Sequence, residues 1–496
     1  MDTKHQLGFR IRHLVCIAST CCLGACAAGP DFVRPKASDT VQYTRDAPIP
    51  ETIVADGKSQ RFGAGGNLPD QWWKLFSSPQ LDALVQQAVA NSPTLAAAEA
   101  TLRQSQNNLR AGYGVFFPQA EAEVAHTRER SAPIVQGSAI PGNVFNVAIA
   151  SGNIGYAFDI FGGQRRAVEA LQAQSDEQRQ LLRAAYLALT ANMVNTCIAR
   201  AAYSAEIGET QKLLELESVQ LKATEAQFKA GTAPYSNVLG IRSLVAGNRA
   251  SLATLKQKFD QSEHLLAVLA GESPANAKLP DIEFEKIGLP SDLPVTLPSQ
   301  LVRQRPDILA AEERMHVANA NIGVATAAMF PNFSLSGTYG SAGSSFGNLG
   351  EQSGRFWSFG PSLSIPIFRG GTLWYERKAA IDASLVAEAN YRATVLAAFA
   401  QVADSLKALE HDAESLQAQA EALRNARQAL ELFNAGYLGG MTPYLDVMAA
   451  DVQFHQAQIA YFASVAQRQQ DTVALFAALG GGWNAQLHGW PGEGSQ

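Results

Sequence analysis

The sequence contains little cysteine and no excess of positive charge. Four of its five cysteines lie within the first 26 residues, which leaves Cys197 alone in the rest of the chain. A disulfide framework or a cysteine metal site within one chain is therefore excluded. Charged residues make up 17% of the chain and the formal net charge is −6, so the basic surface of a nucleic-acid-binding protein is missing. We expect no nucleic acid among its partners.

Motifs of catalysis and cofactor binding are missing or stand in the wrong context. Residues 343–347 match the hydrolase pattern G-x-S-x-G, which requires a strand–turn–helix elbow, but they lie in a Gly/Ser-rich loop. Gly57-Lys58-Ser59 resembles the end of a phosphate-binding loop, but Thr52 stands where the first glycine belongs. The eight histidines lack metal-ligand spacing. We therefore expect no enzyme, no metal and no cofactor, and any transport must draw its energy from a partner.

Residues 1–25 have the pattern of an export signal, with a basic start and a short apolar run at 14–25. That run is shorter than the roughly 20 residues that a transmembrane helix needs. It ends in Leu23-Gly24-Ala25-Cys26, which resembles the bacterial lipobox. In a lipobox the cysteine becomes the first residue of the mature chain and carries N-acyl and diacylglyceryl groups. We expect this covalent lipid on Cys26; the alternative is an ordinary signal peptide with Cys26 as a free thiol.

The rest of the chain contains an internal duplication, which fixes the architecture before any residue is assigned a role. Each copy has a proline that opens a helix, and 25 residues later a second proline that precedes two strands: Pro93 and Pro118, then Pro306 and Pro331. A very long helical segment and a further helix complete each copy. The predicted segments are a tether at 26–76, a first repeat at 77–271, a linker at 272–298, a second repeat at 299–481 and a tail at 482–496.

The predicted strand pairs, 117–160 and 331–368, alternate between apolar and polar residues, as in Phe333-Ser334-Leu335-Ser336. In the first pair the parity of the apolar positions changes across 151–153, which predicts a bulge or bend there. Such strands fit a transmembrane barrel, although a periplasmic sandwich has the same alternation. Four strands cannot close a membrane barrel, and lipid does not tolerate open edges. If these strands span the membrane, several chains must combine them.

The long helices are predicted at 163–271 and 371–480, ending their first halves at the turn glycines Gly231 and Gly436. No proline lies between 163 and 231 or between 371 and 436, so about 65 residues would form about 100 Å of helix. Apolar residues recur every seven positions, which predicts coiled-coil packing. The first series is Ile207, Leu214, Leu221 and Phe228, and the second is Leu409, Leu416, Leu423, Leu430 and Tyr437. Such helices could enclose a tube in an aqueous space or form an ordinary antiparallel bundle.

Several stretches resemble the lipidated outer-membrane efflux proteins, the OprM/NodT branch of the TolC-like channels. They are residues 26–35, Arg305-Pro306-Asp307-Ile308, residues 318–323, Phe330-Pro331 and residues 478–483. The resemblance implies a mainly α fold with a transmembrane β portion: a homotrimer with a twelve-stranded β-barrel in the outer membrane and an α-helical barrel through the periplasm. It implies a passive exit duct for an inner-membrane pump, joined through a periplasmic adaptor and lipid-anchored in the bacterial outer membrane.

The resemblance also implies a gate at the turns between the long helices, where Tyr437 and Asp446 match gate positions of the family. The archetype of the family links its gate through an arginine and a second aspartate, but here Thr442 and Asn237 stand at those positions. We therefore expect closure by hydrogen bonds and packing instead of a salt-bridged latch. Three copies of Asp446 on one axis would raise the local cation concentration. The alternative for Asp446 is a solvated aspartate on a helix.

A second function remains open at this point, a lipid-anchored periplasmic adaptor or scaffold built on coiled coils. It explains the lipobox and the seven-residue repeats, but it does not explain two amphipathic strand pairs. An enzyme is a third class, and no constellation of residues supports it.

Overall fold

The computed structural model describes residues 27–36, 40, 42–46, 49–64, 66, 68–130 and 144–482. Cys26 and residues 483–496 of the predicted tail lie outside the described residues. The α-helices are α1 (Pro79–Asn91), α2 (Pro93–Gly112), α3 (Gly163–Lys229), α4 (Tyr235–Leu269), α5 (Pro298–Gln304), α6 (Pro306–Ala327), α7 (Thr372–Leu438) and α8 (Tyr444–Ala478). The strands are β1 (Arg61–Ala64), β2 (Gln119–Arg130), β3 (Val144–Phe158), β4 (Asp292–Val295), β5 (Asn332–Gly343) and β6 (Arg355–Ser364).

The chain divides into two compact units. The first comprises the described residues within 27–35, 102–178 and 311–391, and the second comprises those within 36–101, 179–310 and 392–482. The first unit contains a four-stranded antiparallel sheet in the order β2-β3-β5-β6. Both strand pairs of the sequence therefore join in one sheet, with β3 and β5 at its centre.

The bulge predicted at 151–153 is absent. Strand β3 runs without interruption, and its register is regular against β2, from Gln119 opposite Gly155 to Arg130 opposite Val144. The apolar residues of β3 lie on one face at its start and on the other face at its end, without a break in the strand. Strand β6 also differs from its expected extent: it starts at Arg355 and ends at Ser364, shortly before Pro366, which has no N–H to continue the ladder.

The second unit corrects the prediction of an extended tether at 26–76, since part of this segment forms a strand and a short helix. Strand β1 pairs in parallel with β4 from the predicted linker, with Arg61 opposite Asp292. A short 3-10 helix, Trp72–Phe76, follows and buries Trp72, Trp73 and Phe76. The Trp73 indole N–H donates to Asp82 over 2.8 Å. The parallel pairing joins residues far apart in the chain, so a four-residue strand leaves no periodic signal in the sequence.

The long helices of the two repeats match in length. Helices α3 and α7 each have 67 residues, and α4 and α8 each have 35. The predicted seven-residue series is buried in α7 at Leu409, Leu416 and Leu423. Over residues 206–228 of α3 the buried stripe falls elsewhere and is largely polar, since it consists of Glu206, Thr210, Leu213, Glu217 and Thr224. Among the described residues, no helix is both long and apolar enough to cross a membrane.

Candidate channel wall and gate

The sheet of the first unit has one apolar and one polar face over most of its length. Residues directly opposite each other on paired strands share a face. The face that we call the apolar face carries Ile154, Tyr156, Phe158, Phe333, Leu335, Tyr339, Trp357, Phe359 and Leu363. Several of these side chains are open to the surroundings, with Trp357 77% and Phe359 69% exposed. A large exposed apolar surface on a sheet is the property of a wall that faces lipid.

The opposite face, the polar face, is lined by carboxylates, an amide and hydroxyls: Glu121, Glu123, Asn153, Ser334, Ser336, Thr338, Ser358 and Ser362. The hydroxyl groups bond across the strands. Thr338 donates to Asn153 over 2.8 Å, and the Oγ atoms of Ser334 and Ser362 lie 2.6 Å apart. This face can line a water-filled passage, because its polar groups are hydrated or bonded to each other.

The two faces exchange character near the connections between the strands. At that end, the loop end, the apolar face carries His126, Arg128, Arg130, Ser341 and Arg355, whereas the polar face carries Phe145, Val147, Ile149 and Phe356. The exchange accounts for the parity change of β3 without any bulge. At the other end, the helix end, β3 stops at Phe158 shortly before α3 begins at Gly163.

Strands β2 and β6 are the edges of the sheet, and within the described residues each pairs on one side only. Their free N–H and C=O groups would lie beside an apolar surface. Such an edge is not stable in lipid, since each unpaired group costs several kcal/mol there. One chain therefore supplies a wall segment that is incomplete without neighbours.

The N-terminal segment, residues 27–36, is attached to the first unit near the helix end of the sheet. The Ala28 N–H donates to the Phe161 carbonyl over 2.8 Å, and the Arg166 guanidinium donates to Asp31. The Phe32 ring stacks on the His316 ring with centroids 4.4 Å apart. Residue 26, the predicted lipid site, is outside the described residues. The next residue, Ala27, lies against Gly162: a Cβ added to Gly162 would be 2.7 Å from the Ala27 Cα.

The predicted gate lies in the second unit, where α3 turns into α4 and α7 turns into α8. Both turns are Schellman motifs. In the first, Gly231 donates to the Phe228 carbonyl and Thr232 to the Gln227 carbonyl; in the second, Gly440 donates to Tyr437 and Met441 to Gly436. Gly231 has φ +76° and Gly440 has φ +70°. A left-handed residue at this position favours glycine because a Cβ would crowd the backbone.

The prediction of Gly436 as the turn glycine is therefore wrong. Gly436 lies inside α7, which continues to Leu438, and the counterpart of Gly231 is Gly440. The motif Phe-x-Ala-Gly occurs at both 228–231 and 433–436, but what ends α7 is the left-handed Gly440 before Pro443. Gly436 has a different reason to lack a side chain, since a Cβ there would collide with the Thr442 hydroxyl.

Each turn carries an aromatic pair of the same geometry. The rings of Phe228 and Tyr235 lie 5.1 Å apart at 46°, and those of Tyr437 and Tyr444 lie 5.4 Å apart at 47°. All four side chains are exposed. Tyr437, predicted for the gate, is thus held by Tyr444 of the following helix, a partner that sequence reasoning missed although Pro-Tyr follows both turns.

Asn237 and Asp446 occupy equivalent places in the first turn of α4 and α8. Each backbone N–H donates to the preceding proline carbonyl, of Pro234 or Pro443, over 3.1 Å. Both side chains are exposed, and in the part of the chain that the structure describes neither forms a side-chain hydrogen bond or ion pair. Thr442 is half-buried beside Gly436. The structure therefore brings Thr442 close to the Tyr437 end of α7 and leaves the Asp446 carboxylate free.

The first turn has an ion pair that sequence reasoning also missed. Arg242 of α4 donates to Glu225 of α3 over 2.7 Å, across the two helices just above the turn. The residues at the matching places in the second repeat are Asp451 and Asn434, which cannot form that pair. The sequence could have predicted this ion pair, because residues at equal distances from a turn lie opposite each other on antiparallel helices.

The outer membrane efflux protein model matches residues 84–272 and 297–481, which is more than half of the chain. The chain belongs to the outer membrane efflux protein family. It is 29% identical to the pyoverdine export outer membrane protein OpmQ of Pseudomonas aeruginosa over 97% of this chain and 98% of that one. It is also 29% identical to the toluene efflux pump outer membrane protein TtgC of Pseudomonas putida, over 94% of each chain. The solved structure of the outer-membrane channel OprN covers 92% of this chain with 26% identity and a TM-score of 0.79.

Membership fixes the class of function. The chain is an outer-membrane channel component of a tripartite efflux or secretion system, with the TolC-like fold of a helical barrel and a β-barrel portion. The family consists of transport channels, not enzymes. The predicted fold class, outer-membrane location and channel function are confirmed, and the alternative of a periplasmic adaptor is overturned.

Proposed function

We propose that three copies of the chain close a twelve-stranded barrel and act as a passive exit duct. The observation that carries this proposal is the four-stranded sheet with one exposed apolar face, one polar face and two free edges. Edges of neighbouring chains would pair with each other, so no polar backbone group would face lipid. The polar face would then line the water-filled passage.

The duct works with a periplasmic adaptor and an inner-membrane pump. The sequence has no complete ATP-binding motif, so the energy for export comes from the partner. The names of the relatives mention pyoverdine in one case and toluene in another, although both are 29% identical to this chain. The cargo therefore follows the pump, while the channel contributes the passage and its opening.

The turns between the long helices form the gate of this duct. Asp446 is exposed, free of protein partners and located one turn from the end of its helix pair, so three copies would concentrate cations at the constriction. Tyr437 packs against Tyr444, and Thr442 lies against Gly436, so closure rests on packing and hydrogen bonds. Asn237 is the uncharged counterpart of Asp446 in the first repeat.

Cys26 carries the covalent lipid. Residues 27–36 are bound to the first unit near the helix end of the sheet, through Arg166 and Asp31 among others. A lipid on the preceding residue would therefore start close to the border of the apolar face. One lipid binds a membrane modestly, so it supplements the barrel and does not replace it.

The test is planar-bilayer conductance of the purified trimer, for the wild type and for Asp446→Ala. Discrete cation-selective steps whose selectivity falls in the variant support both the duct and the gate residue. Steps with unchanged selectivity support the duct and refute the role of Asp446. Heat-modifiable oligomers without any steps, even after urea or low salt is used to loosen the gate, would refute the duct.

A further inference from the structure

Positive side chains lie toward the loop end of the apolar face, on the two opposite edge strands of the sheet. They are Arg128 and Arg130 of β2 and Arg355 of β6, with His126 of β2 beside them, and we call this set the basic rim. All four side chains are exposed. They lie at the loop end of the sheet, on the side whose remaining length is occupied by aromatic and aliphatic residues.

The basic rim begins directly beyond a pair of interfacial aromatics. Tyr339 and Trp357 lie opposite each other on β5 and β6, and the next pair on the same face toward the loop end is Ser341 and Arg355. Tyr339 is 64% exposed. Tyr and Trp mark the level of lipid headgroups, because their rings are apolar and their polar tips remain hydrated. The arginine is thus placed at headgroup level, not within the hydrocarbon.

A groove of about 530 Å³ opens on the sheet next to Arg355. Small residues form its floor, namely Ala122, Ala150 and Gly152. Tyr339, Leu349 and Arg355 stand at its sides. The segment that contributes Leu349 folds over the apolar face, since the Phe346 ring lies 5.4 Å from the His126 ring. An apolar groove that ends at an arginine fits an acyl chain joined to an anionic headgroup.

Among the described residues, the carboxylates of β2 belong to the opposite face from the basic rim, although Glu123 also contributes to the lining of the groove. Glu121, Glu123 and Glu129 are on the same strand as Arg128 and Arg130, but their parity places them on the polar face. Glu351 lies in the connection between β5 and β6, where it accepts a hydrogen bond of 2.6 Å from Asn348. Within the part of the chain that the structure describes, no ion pair involves the guanidinium groups of the rim, so they are available to an external anion.

The position of the rim identifies the leaflet. The helices and the N-terminal segment leave the sheet at its helix end, which faces the periplasm in this family, so the loop end faces outward. We propose that the basic rim binds outer-leaflet lipids whose headgroups carry phosphate, with an acyl chain in the groove beside Arg355. Arginine suits this ligand because its planar fork donates two hydrogen bonds to one phosphate. The proposal rests on the orientation of the sheet in the proposed duct.

The binding test uses the detergent-solubilised trimer and native mass spectrometry with hexa-acylated lipid A that bears two phosphates. Each arginine near a charged membrane surface contributes about fivefold in binding. We expect Arg128→Gln/Arg130→Gln/Arg355→Gln to bind the lipid at least about tenfold more weakly than wild type. The matched control is Arg369→Gln/Lys378→Gln, which removes positive charge just beyond the helix end and should bind as the wild type does.

A second comparison needs no variant, since wild type should prefer phosphorylated lipid A to the same lipid after removal of both phosphates. Equal binding of the two lipids, or equal binding by the rim variant and wild type, would overturn the proposal. Displacement of the lipid by an equal concentration of inorganic phosphate would show a phosphate site and overturn the lipid site. Conductance measurements test the duct separately. If the rim variant conducts like wild type but no longer binds the lipid, the result supports the rim. If wild type itself shows no conductance steps, the duct is refuted.

Discussion

The two repeats use the same helical framework but fill it with different polar contacts. Helices α3 and α4 match α7 and α8 residue for residue, with starts 209 positions apart in both cases. In the first repeat, Arg200 of α3 donates to Glu263 of α4 and lies 5.2 Å from the Phe259 ring. In the second, the place of Phe259 is taken by Arg468, which is fully buried and donates to Gln60 and Thr52.

The comparison distinguishes features that both repeats share from features that belong to one helix pair. Helix length, the Schellman turns and the aromatic pairs are the same in both repeats, so they belong to the framework. Charges are not the same: the first turn is joined by Arg242 and Glu225, and the second exposes Asp446 without a partner. A duplicated framework thus allows one turn to be fixed by an ion pair while the other presents a free carboxylate.

The largest expected difference between the repeats comes from their buried arginines. We expect Arg468→Met to lower the free energy of unfolding by about 3 kcal/mol, because the buried side-chain oxygen of Gln60 loses its donor and Thr52 keeps only the Gln60 N–H. Arg200→Met should lower it by only about 1 kcal/mol, because Glu263 is partly exposed and can be hydrated. Urea unfolding in detergent, followed by circular dichroism, measures both. Equal losses would contradict the distinction.

The next difference is a dependence of stability on pH that we expect from Asp412 in the second repeat but not from the residue at the matching position of the first. Burial, followed by the neighbouring Asp471, raises the pKa of Asp412 to about 7, while Arg468 and His411 oppose the shift. Because this pKa exceeds the unfolded value of about 3.9, the protonated form stabilises the fold; the contribution is complete below pH 4 and is lost as pH rises toward 7. We expect a loss of about 1–2 kcal/mol after allowance for partial exposure.

In Asp412→Asn this loss should disappear, so that the variant exceeds wild type in stability at pH 8 but not at pH 4. The matched residue of the first repeat is Tyr203, and Tyr203→Phe should leave the pH profile unchanged. Thermal unfolding at a series of pH values decides the matter. If stability fell between pH 4 and pH 7 as much in Asp412→Asn as in wild type, the pair of Asp412 and Asp471 would not explain the pH dependence.

The turn glycines should be equivalent if the framework is shared. Gly231→Val and Gly440→Val both force a β-branched residue into the left-handed region, and each should lower stability by about 1–2 kcal/mol. Gly240→Ala is the control, since Gly240 is helical and has open space around its Cβ position; it should be neutral or raise stability by up to about 1 kcal/mol. A marked difference between the two valine variants in thermal unfolding would show that the turns are not interchangeable.

The smallest expected effect concerns the charge at the turns. Asp446→Asn removes one charge from each chain of the trimer and should lower the cation preference of the channel by about threefold. Asn237→Asp adds a carboxylate at the matching place of the first repeat and should raise the preference by a similar factor. Reversal potentials in a salt gradient measure both. If only Asp446→Asn has an effect, the passage is lined by the second turn alone.

Much of this fold could be predicted from the sequence because its signals are long or repeated. The extent of α3 and the two strand pairs follow from proline, glycine and alternation. The pairing of β1 with β4 could not be predicted, because four-residue strands distant in the chain have no period. Local similarity misplaced the second turn glycine at Gly436, whereas the backbone angle assigns it to Gly440.

The candidate sites were predictable to different degrees. Family motifs pointed to Asp446, Tyr437, Asn237 and Thr442, and their roles at a gate remain predictions. The sequence did not reveal the basic rim, because the residues of β2 and β6 can be assigned to one face only when the register of the four strands is known. The buried partners of Arg468 come from segments far apart in the chain, so the sequence offers no spacing by which to find them.

Cys197 has a practical consequence for probing this molecule. Its side chain is buried, and burial raises the pKa of its thiol to about 12, so almost no thiolate exists at neutral pH. With Cys26 acylated and the other cysteines in the excised signal, the mature chain would present no reactive thiol. A single cysteine introduced at the turn or at the border of the sheet would then be the only attachment point for a spin label or fluorophore, which makes the native sequence a ready background for distance measurements of gate opening.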